Sequence, residues 1–145
     1  MSRLLAPPRR SSSRAPRDGA IALRTPAQIA AMRLAGRVVR EALDAAAAAC
    51  IGGATTADVN AAAASVIAGW GAEPLFLNYP LYVQGQGFPC CTCISVDDEV
   101  VHGIPGPRRL RAGELVSIDC GVRLVGWCAD APVTVSVAAA TPIGA

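Results

Sequence analysis

The chain has 145 residues, enough for one domain of ordinary size, and its 4% of aromatic residues excludes a core built mainly from large rings. Five of its thirteen arginines fall in residues 1–18, which leaves eight arginines against ten acidic residues and argues against nucleic-acid binding by the folded part. No uncharged apolar run approaches the roughly 18 residues of a membrane span, so we expect no membrane segment.

Residues 1–20 are rich in Arg, Ser and Pro and have no apolar period that could bury a face, so we expect a disordered tail. The tail resembles an organellar transit peptide in composition, although its prolines would break the required amphipathic helix. A plain basic tail, or a start codon placed too early, is the favoured interpretation. We therefore expect a cytoplasmic protein, with organellar import as a minor alternative, and a folded domain over residues 21–145.

Two helices are predicted before any strand. A capping box at 25–28 with proline at the first helical position predicts a helix from Pro26 to about Cys50. Two glycines then stop it, and a second capping box at 55–58 predicts a helix that ends near Gly69 or Gly71.

The pattern changes after the helices. Residues 74–89 hold several Pro and Gly, which is typical of a surface loop or a pocket wall. Residues 91–96, 115–120 and 133–137 are rich in β-branched side chains and are predicted to be strands. Turn signals between them occur at Gly106, Gly113 and Gly126. Helices followed by strands indicate an α+β fold with an antiparallel sheet.

Six cysteines occur in the chain, and Cys90, Cys91 and Cys93 form a cluster. No apolar secretory segment precedes them, so a reducing compartment and free or metal-binding thiols are expected. The cluster has no second pair at zinc-finger spacing. Buried small hydrophobic side chains are therefore favoured over a structural zinc site.

Asp119 and Asp130 each lie in an apolar segment, where a carboxylate is costly unless it is paired or bound to a metal. A four-residue hairpin loop at 123–126 would place the two aspartates directly opposite each other on one sheet face. Opposed like charges are destabilising unless a cation lies between them. Alternatively, one aspartate caps a turn and the other meets a nearby arginine, and the pattern leaves both interpretations open.

His102 is the only histidine and lies where a predicted strand meets a Gly-Pro loop. Such irregular segments often present binding residues. A packed or surface histidine without a function is the alternative.

These runs together resemble one family. VVHGIP (100–105), LVSIDCGV (115–122), a Gly-Trp step and an aspartate eleven residues after the first resemble the central signature of methionine aminopeptidases. TPAQIAAMRLAGRVVREAL (25–43) and AEPLFLNYP (72–80) resemble the family's first helix and its following segment. The resemblance implies the amino-terminal half of a pita-bread (creatinase/aminopeptidase) fold.

The resemblance also implies a site. Asp119 matches the first carboxylate ligand of a two-metal centre, and Asp130 matches the carboxylate that bridges both metals. His102 matches a catalytic histidine that binds the substrate and steadies the reacting amide. The divalent ions, two per complete site and Co, Mn, Fe or Zn, would activate a water that attacks the carbonyl after an N-terminal Met. The pocket for the Met side chain would lie near Cys91, Cys93 and the loop around Tyr79.

Two positions depart from the family's pattern. Many members have His-Gly where this chain has Cys128 and Ala129, which puts the surroundings of the metal in doubt because a thiol could bind or oxidise there. Members often have Asn where this chain has Asp97, which would add charge near the pocket rim.

The family's other metal ligands, one His and two Glu, belong to a second half, and the chain stops at Ala145. We therefore expect the chain to be inactive alone. We also expect an unpaired sheet edge and an uncovered apolar face, which predict poor solubility or association.

The expected function is metal-dependent removal of the N-terminal methionine from nascent proteins, with polypeptide N-termini as substrates and the ribosome as a second candidate partner. The alternatives are a proline-dipeptidase-like hydrolase, a non-catalytic pita-bread binding module or pseudoenzyme, and a short structural protein holding a cysteine-bound metal. The VVHGIP run favours the methionine enzyme, and the presence of Asp119, Asp130 and His102 speaks against a long-standing loss of function.

Overall fold

The computed structural model describes residues 21–80 and 86–139, so the predicted tail over residues 1–20 lies outside the described residues. Two helices come first, α1 over Pro26–Ala49 and α2 over Thr56–Gly69. Four strands follow: β1 over Glu73–Pro74, β2 over Thr92–Val96, β3 over Leu115–Leu124 and β4 over Trp127–Ser136. The predicted α+β order is confirmed. None of the described helices is long and apolar enough to cross a membrane.

Both helices begin at the predicted capping boxes. The Gln28 N–H donates to Thr25 Oγ1 at 3.2 Å, and the Thr25 N–H donates to Gln28 Oε1 at 2.9 Å. Thr55 and Asp58 exchange the equivalent two bonds at the start of α2, at 2.8 and 3.1 Å. Each box satisfies two backbone donors near the helix start.

The helices pack on one face of the sheet, and the opposite face is called the open face below. Buried helix residues recur at three- and four-residue spacing, as one helix face requires. They are Ala35, Val38, Val39, Ala42, Leu43 and Ala46 in α1, and Thr56, Val59, Ala63 and Ile67 in α2. Alternate residues of β3 complete this core: Val116, Ile118, Cys120, Val122 and Leu124. Small and β-branched side chains dominate the core, as the aromatic-poor composition predicted.

The central strand of the sheet is β3. Along one side it pairs antiparallel with β4 over the whole length of that strand. Along the other side it pairs antiparallel with β2, from Thr92↔Cys120 to Val96↔Val116, and with β1 near its end. The alternation along β3 therefore sends every second side chain to the open face.

The strand pair β3–β4 is longer than the sequence predicted. The prediction ended β3 at Cys120 and began β4 at Val133, whereas the ladder continues to Leu124 and starts again at Trp127. Asp130 and Pro132 interrupt the apolar pattern of β4. An edge strand tolerates both, because a carboxylate can face solvent there and proline need not donate to a ladder.

The loop of this hairpin is also tighter than predicted. Leu124 pairs with Trp127, so only Val125 and Gly126 form the loop, with φ values of 49° and 83°. The predicted four-residue loop at 123–126 is wrong. A turn of two residues with positive φ matches the right-handed twist of the flanking strands. The ladder can therefore continue to the pair Leu124↔Trp127, directly before the turn.

The shorter loop changes which residues face each other. Asp119 lies opposite Pro132, and Asp130 lies opposite Gly121, so the prediction that the two aspartates are directly opposed is wrong by two residues. A shift of two residues keeps a side chain on the same face of a sheet. Asp119 and Asp130 are therefore diagonal neighbours on the open face.

Val125 is poorly suited to its place in this loop. A β-branched residue is strained at φ 49°, whereas asparagine adopts this conformation readily and Asn-Gly is the favoured pair in such turns. We expect Val125→Asn to raise the free energy of unfolding by about 1 kcal/mol, measured by urea denaturation. Val100→Asn is the control, because Val100 is 90% exposed and is expected to change stability little. A Val125→Asn variant that is no more stable than this control would contradict the assigned turn.

The part of the open face that β4 supplies is not apolar. Its exposed residues are Cys128, Asp130, Pro132, Thr134 and Ser136. Within the described part of the chain, β4 pairs only with β3, so its outer edge is unpaired as predicted. Strand pairing along this edge would be interrupted at Pro132, because proline lacks an N–H donor.

Candidate metal centre

The two predicted carboxylates meet on the open face. Asp119 is half-buried and Asp130 is exposed, and the charge of Asp119 acts on the Asp130 carboxyl group. Gly121, directly across from Asp130, has no side chain to separate them. A Cβ atom at Gly121 would lie 3.3 Å from Asp130 Oδ1 and 3.1 Å from Phe76 Cε1. The structure thus brings Asp119 and Asp130 together despite their diagonal register.

The electrostatics of this pair favour a cation. Partial burial raises the pKa of the Asp130 carboxyl, and the charge of Asp119 and its hydrogen bond raise it further, while a hydrogen bond with the Ala131 backbone lowers it. The pair therefore resists carrying two negative charges, and a divalent ion between the carboxylates would remove that resistance.

The donor set fits a divalent ion in part. Carboxylate oxygens are ligands that divalent first-row metals accept. Across residues 21–80 and 86–139, however, no three His, Cys, Asp or Glu side chains are close enough to hold a metal ion together. Two carboxylates alone bind divalent ions weakly, so Asp119 and Asp130 fit the role of two ligands within a larger set.

His102 lies in the connection between β2 and β3 and has a φ of 59°. Gly103, the next residue, fixes the position of the loop through two hydrogen bonds to β2. The Gly103 N–H donates to Ser95 Oγ at 3.1 Å, and the Gly103 carbonyl accepts the Ile94 N–H at 2.8 Å. His102 itself is exposed and lines the same cleft as the two aspartates. All three predicted site residues therefore line one cleft.

The cleft has a volume of about 510 Å³ and a mainly apolar wall. The predicted pocket wall at 74–89 supplies much of it in the described residues. Sequence reasoning did not single out Phe76, Pro80, Phe88 or Ile104, although the irregular Pro- and Gly-rich pattern was the signal for the first three. The lining residues are Phe76, Tyr79, Pro80, Phe88, Cys93, His102, Ile104, Asp119 and Asp130.

Cys93 is the cysteine of the cleft, whereas Cys91 packs against the core. Burial, followed by the charges of the two aspartates, raises the pKa of the Cys93 thiol to about 11. Burial also raises the pKa of Cys50 to about 11 and that of Cys120 to about 12. These thiols are neutral near pH 7. Within the predicted cluster, Cys93 is buried as expected, whereas Cys90 and Cys91 are only half-buried.

The two departures from the family's pattern have different surroundings. Asp97 has a φ of 55° in the turn after β2, and its Oδ1 accepts the Leu115 N–H at 2.9 Å. Aspartate tolerates this conformation better than most residues. Cys128 is exposed on the open face, where it lies opposite Arg123. Asp97 thus serves the turn, and Cys128 lies two residues from Asp130.

Comparison with known proteins gives consistent matches. A sequence model of metallopeptidase family M24 matches residues 30–143. Methionine aminopeptidase 1 of Mycobacterium tuberculosis (strain CDC 1551 / Oshkosh) is 44% identical over 117 residues, which cover 80% of this chain and 42% of that protein. Methionine aminopeptidase of Clostridium acetobutylicum is 37% identical over 118 residues, covering 81% of this chain and 45% of that protein.

Solved structures agree with these matches. The crystal structure of methionine aminopeptidase from Rickettsia prowazekii superposes with a TM-score of 0.74 at 33% identity, covering 82% of this chain and 46% of that one. Escherichia coli aminopeptidase P superposes with a TM-score of 0.64 at 23% identity, which is a likeness of fold alone. The chain spans about half the length of the curated relatives it matches.

Proposed function

The chain belongs to metallopeptidase family M24, and from this premise we propose that it supplies two metal-binding carboxylates and the substrate-contacting histidine of a methionine aminopeptidase. The observation that carries the proposal is the convergence of Asp119, Asp130 and His102 on one cleft with apolar walls. Relatives named methionine aminopeptidase, one of them 44% identical over 117 residues, support the choice of reaction.

In the proposed reaction, Asp119 and Asp130 would hold divalent ions. Their partial enclosure in the cleft would strengthen the attraction between the carboxylates and the ions relative to open water. When bound, such ions polarise a peptide carbonyl and make a water more acidic. Co, Mn, Fe or Zn are the proposed metals, with two ions per complete site. Both aspartates lie on the same sheet face, so the fold of the protein, and not the substrate, sets the position of the two negative charges that would bind the ions.

His102 and the apolar wall act on the substrate itself. The imidazole can donate to or accept from the peptide group next to the cleaved bond, which orients that group in the cleft. Phe76, Phe88 and Ile104 offer an apolar surface that suits an unbranched thioether side chain. The proposed substrates are nascent polypeptide N-termini, with the ribosome as a second partner and the cytoplasm as the location.

The deciding experiment is a chimera. We expect the chain alone to release no Met from a Met-Gly peptide with Co²⁺, Mn²⁺ or Fe²⁺, because two carboxylates bind these ions weakly. Fused to the unmatched remainder of the Mycobacterium tuberculosis relative, it is expected to give release that a chelator stops, measured by mass spectrometry of the free amino acid.

An Asp130→Asn chimera is the control and should be inactive. A folded wild-type chimera that releases nothing, or that cleaves only Xaa-Pro dipeptides, would overturn the proposal. The second result would favour the proline-dipeptidase alternative.

A further inference from the structure

One side chain of α2 binds the start of strand β2, outside the cleft. Asn60 Oδ1 accepts three hydrogen bonds, from the Cys91 N–H at 3.1 Å, the Thr92 N–H at 3.2 Å and the Thr92 hydroxyl at 3.0 Å. Asn60 is half-buried and does not line the cleft. Its hydrogen bonds therefore link it to the cleft through β2.

The three bonds exceed the ordinary capacity of the acceptor. An amide oxygen has two lone pairs, so the three donors share them and leave no acceptor capacity of this oxygen unused. Thr92 is completely buried, and its side-chain hydroxyl and backbone N–H both depend on Asn60. Without this oxygen, buried donors would lose their partner, which is costly.

The Asn60 oxygen holds the two residues directly before Cys93. The chain bends at residues 90–91 and enters β2 at Thr92, so the three bonds set the direction in which the strand begins. Cys93 follows at once, pairs with Asp119 across the sheet and lines the cleft. The position of Cys93 beside Asp119 thus depends on where Thr92 is anchored.

The same helix holds the other side of the cleft one turn earlier. The Thr56 hydroxyl donates to the Gly106 carbonyl at 3.0 Å and accepts the Gly106 N–H at 2.8 Å. The Ala57 N–H also donates to the Gly106 carbonyl at 3.0 Å. Gly106 follows His102 and Ile104, both of which line the cleft. One helix therefore anchors both the β2 wall and the His102 loop.

We propose that Asn60 is a positioning residue of the cleft, whose amide oxygen holds the start of β2 so that Cys93 stays packed beside Asp119. The inference rests on the proposed function, because the position of Cys93 matters for activity only if the cleft binds a substrate. Its physical content, the burial of Cys93, can be tested without turnover. Rigid support from outside a site is a general requirement for a site with a fixed geometry.

The test uses the whole 145-residue chain and three variants. Asn60→Leu removes the acceptor at similar volume, Asn60→Asp keeps an oxygen that accepts all three bonds, and Val38→Ala creates a cavity in α1. The rate of Cys93 alkylation by iodoacetamide is measured by peptide mass spectrometry at a urea concentration well below unfolding. We expect Asn60→Leu to raise the rate at least about tenfold through local opening of β2.

The control variants decide between positioning and general stability. Asn60→Asp is expected to alkylate within about twofold of the wild-type rate, and Val38→Ala to leave Cys93 protected even where its free energy of unfolding matches that of Asn60→Leu. Equal alkylation rates in Asn60→Leu and Val38→Ala, or no rescue by Asn60→Asp, would overturn the inference. Failure of the proposed function would appear separately, as an inactive wild-type chimera, and leaves the alkylation result unaffected.

Discussion

Asp130→Asn is expected to remove divalent-cation binding while making the chain slightly more stable without metal. The asparagine keeps the shape of the side chain but removes one of the two charges that attract a cation. Affinity for Mn²⁺, measured by the electron paramagnetic resonance signal of the free ion, should fall at least about tenfold. The gain in stability should stay below about 1 kcal/mol, because Asp130 is exposed and solvent screens its repulsion with Asp119.

The pH dependence of this gain has a definite sign. The raised pKa of Asp130 means that the folded chain binds its proton more tightly than the unfolded chain. Without metal, wild-type stability is therefore highest below the ordinary aspartate range and falls as the pH rises through the raised pKa. The asparagine variant lacks this decrease in stability. The free energies of unfolding of the wild type and the variant, measured by urea denaturation, should therefore converge in acid and separate toward neutral pH.

Asp98→Asn is the matched control for this pair of measurements, since Asp98 is exposed in the turn after β2 and does not line the cleft. It should leave Mn²⁺ affinity and the pH dependence unchanged. Equal loss of affinity in the Asp98 and Asp130 variants would show that binding reflects net charge and would remove the case for a specific site.

Gly103→Ala is expected to lower the free energy of unfolding by about 3 kcal/mol or more. A Cβ atom at this position would lie 2.1 Å from the Ile94 carbonyl oxygen and 3.0 Å from Ser95 Cα, and both are backbone atoms that cannot rotate away. The loop must therefore leave β2. Its hydrogen bonds to Ile94 and Ser95 would be lost, and His102 would move with it.

Gly106→Ala in the same loop provides the comparison. Its added Cβ atom would meet only the Ile104 carbonyl oxygen at 3.9 Å, an ordinary contact, so the change in stability should stay within about 1 kcal/mol. Urea denaturation measures both variants, and the nuclear magnetic resonance signal of the His102 ring reports its surroundings. If the two alanine variants were equally stable, the close approach of the loop to β2 would be incorrect.

Local sequence chemistry predicted the helices well. The two capping boxes, Thr25 with Gln28 and Thr55 with Asp58, act within four consecutive residues, and both are present. The strand that carries Cys93 was also predicted to within one residue, because it is short, β-branched and bounded by turn residues. In each case the determining interactions lie within a few residues along the chain.

The hairpin was predicted less accurately. Asp119 and Asp130 were expected to face each other, yet the tighter loop at Val125 and Gly126 made them diagonal neighbours. The choice between a two-residue and a four-residue loop depends on pairing along ten residues of each strand, and the strain at Val125 argued against the shorter one. The stabilisation from the additional backbone pairing of the longer ladder outweighs that strain. The pattern of neighbouring residues does not show how far two strands will pair.

The sequence by itself determined the fold class and the helix boundaries, and it singled out the residues proposed for the site: Asp119 and Asp130 as metal ligands and His102 as the substrate-contacting residue. Only the tertiary structure decided that these three line one cleft, that Gly121 leaves room for the carboxylates to meet, and that Asn60 anchors the strand beside them. The physical reason is distance along the chain. Caps and turns form between neighbours in sequence, whereas Asn60 and Thr92 are 32 residues apart and meet only when α2 packs beside β2.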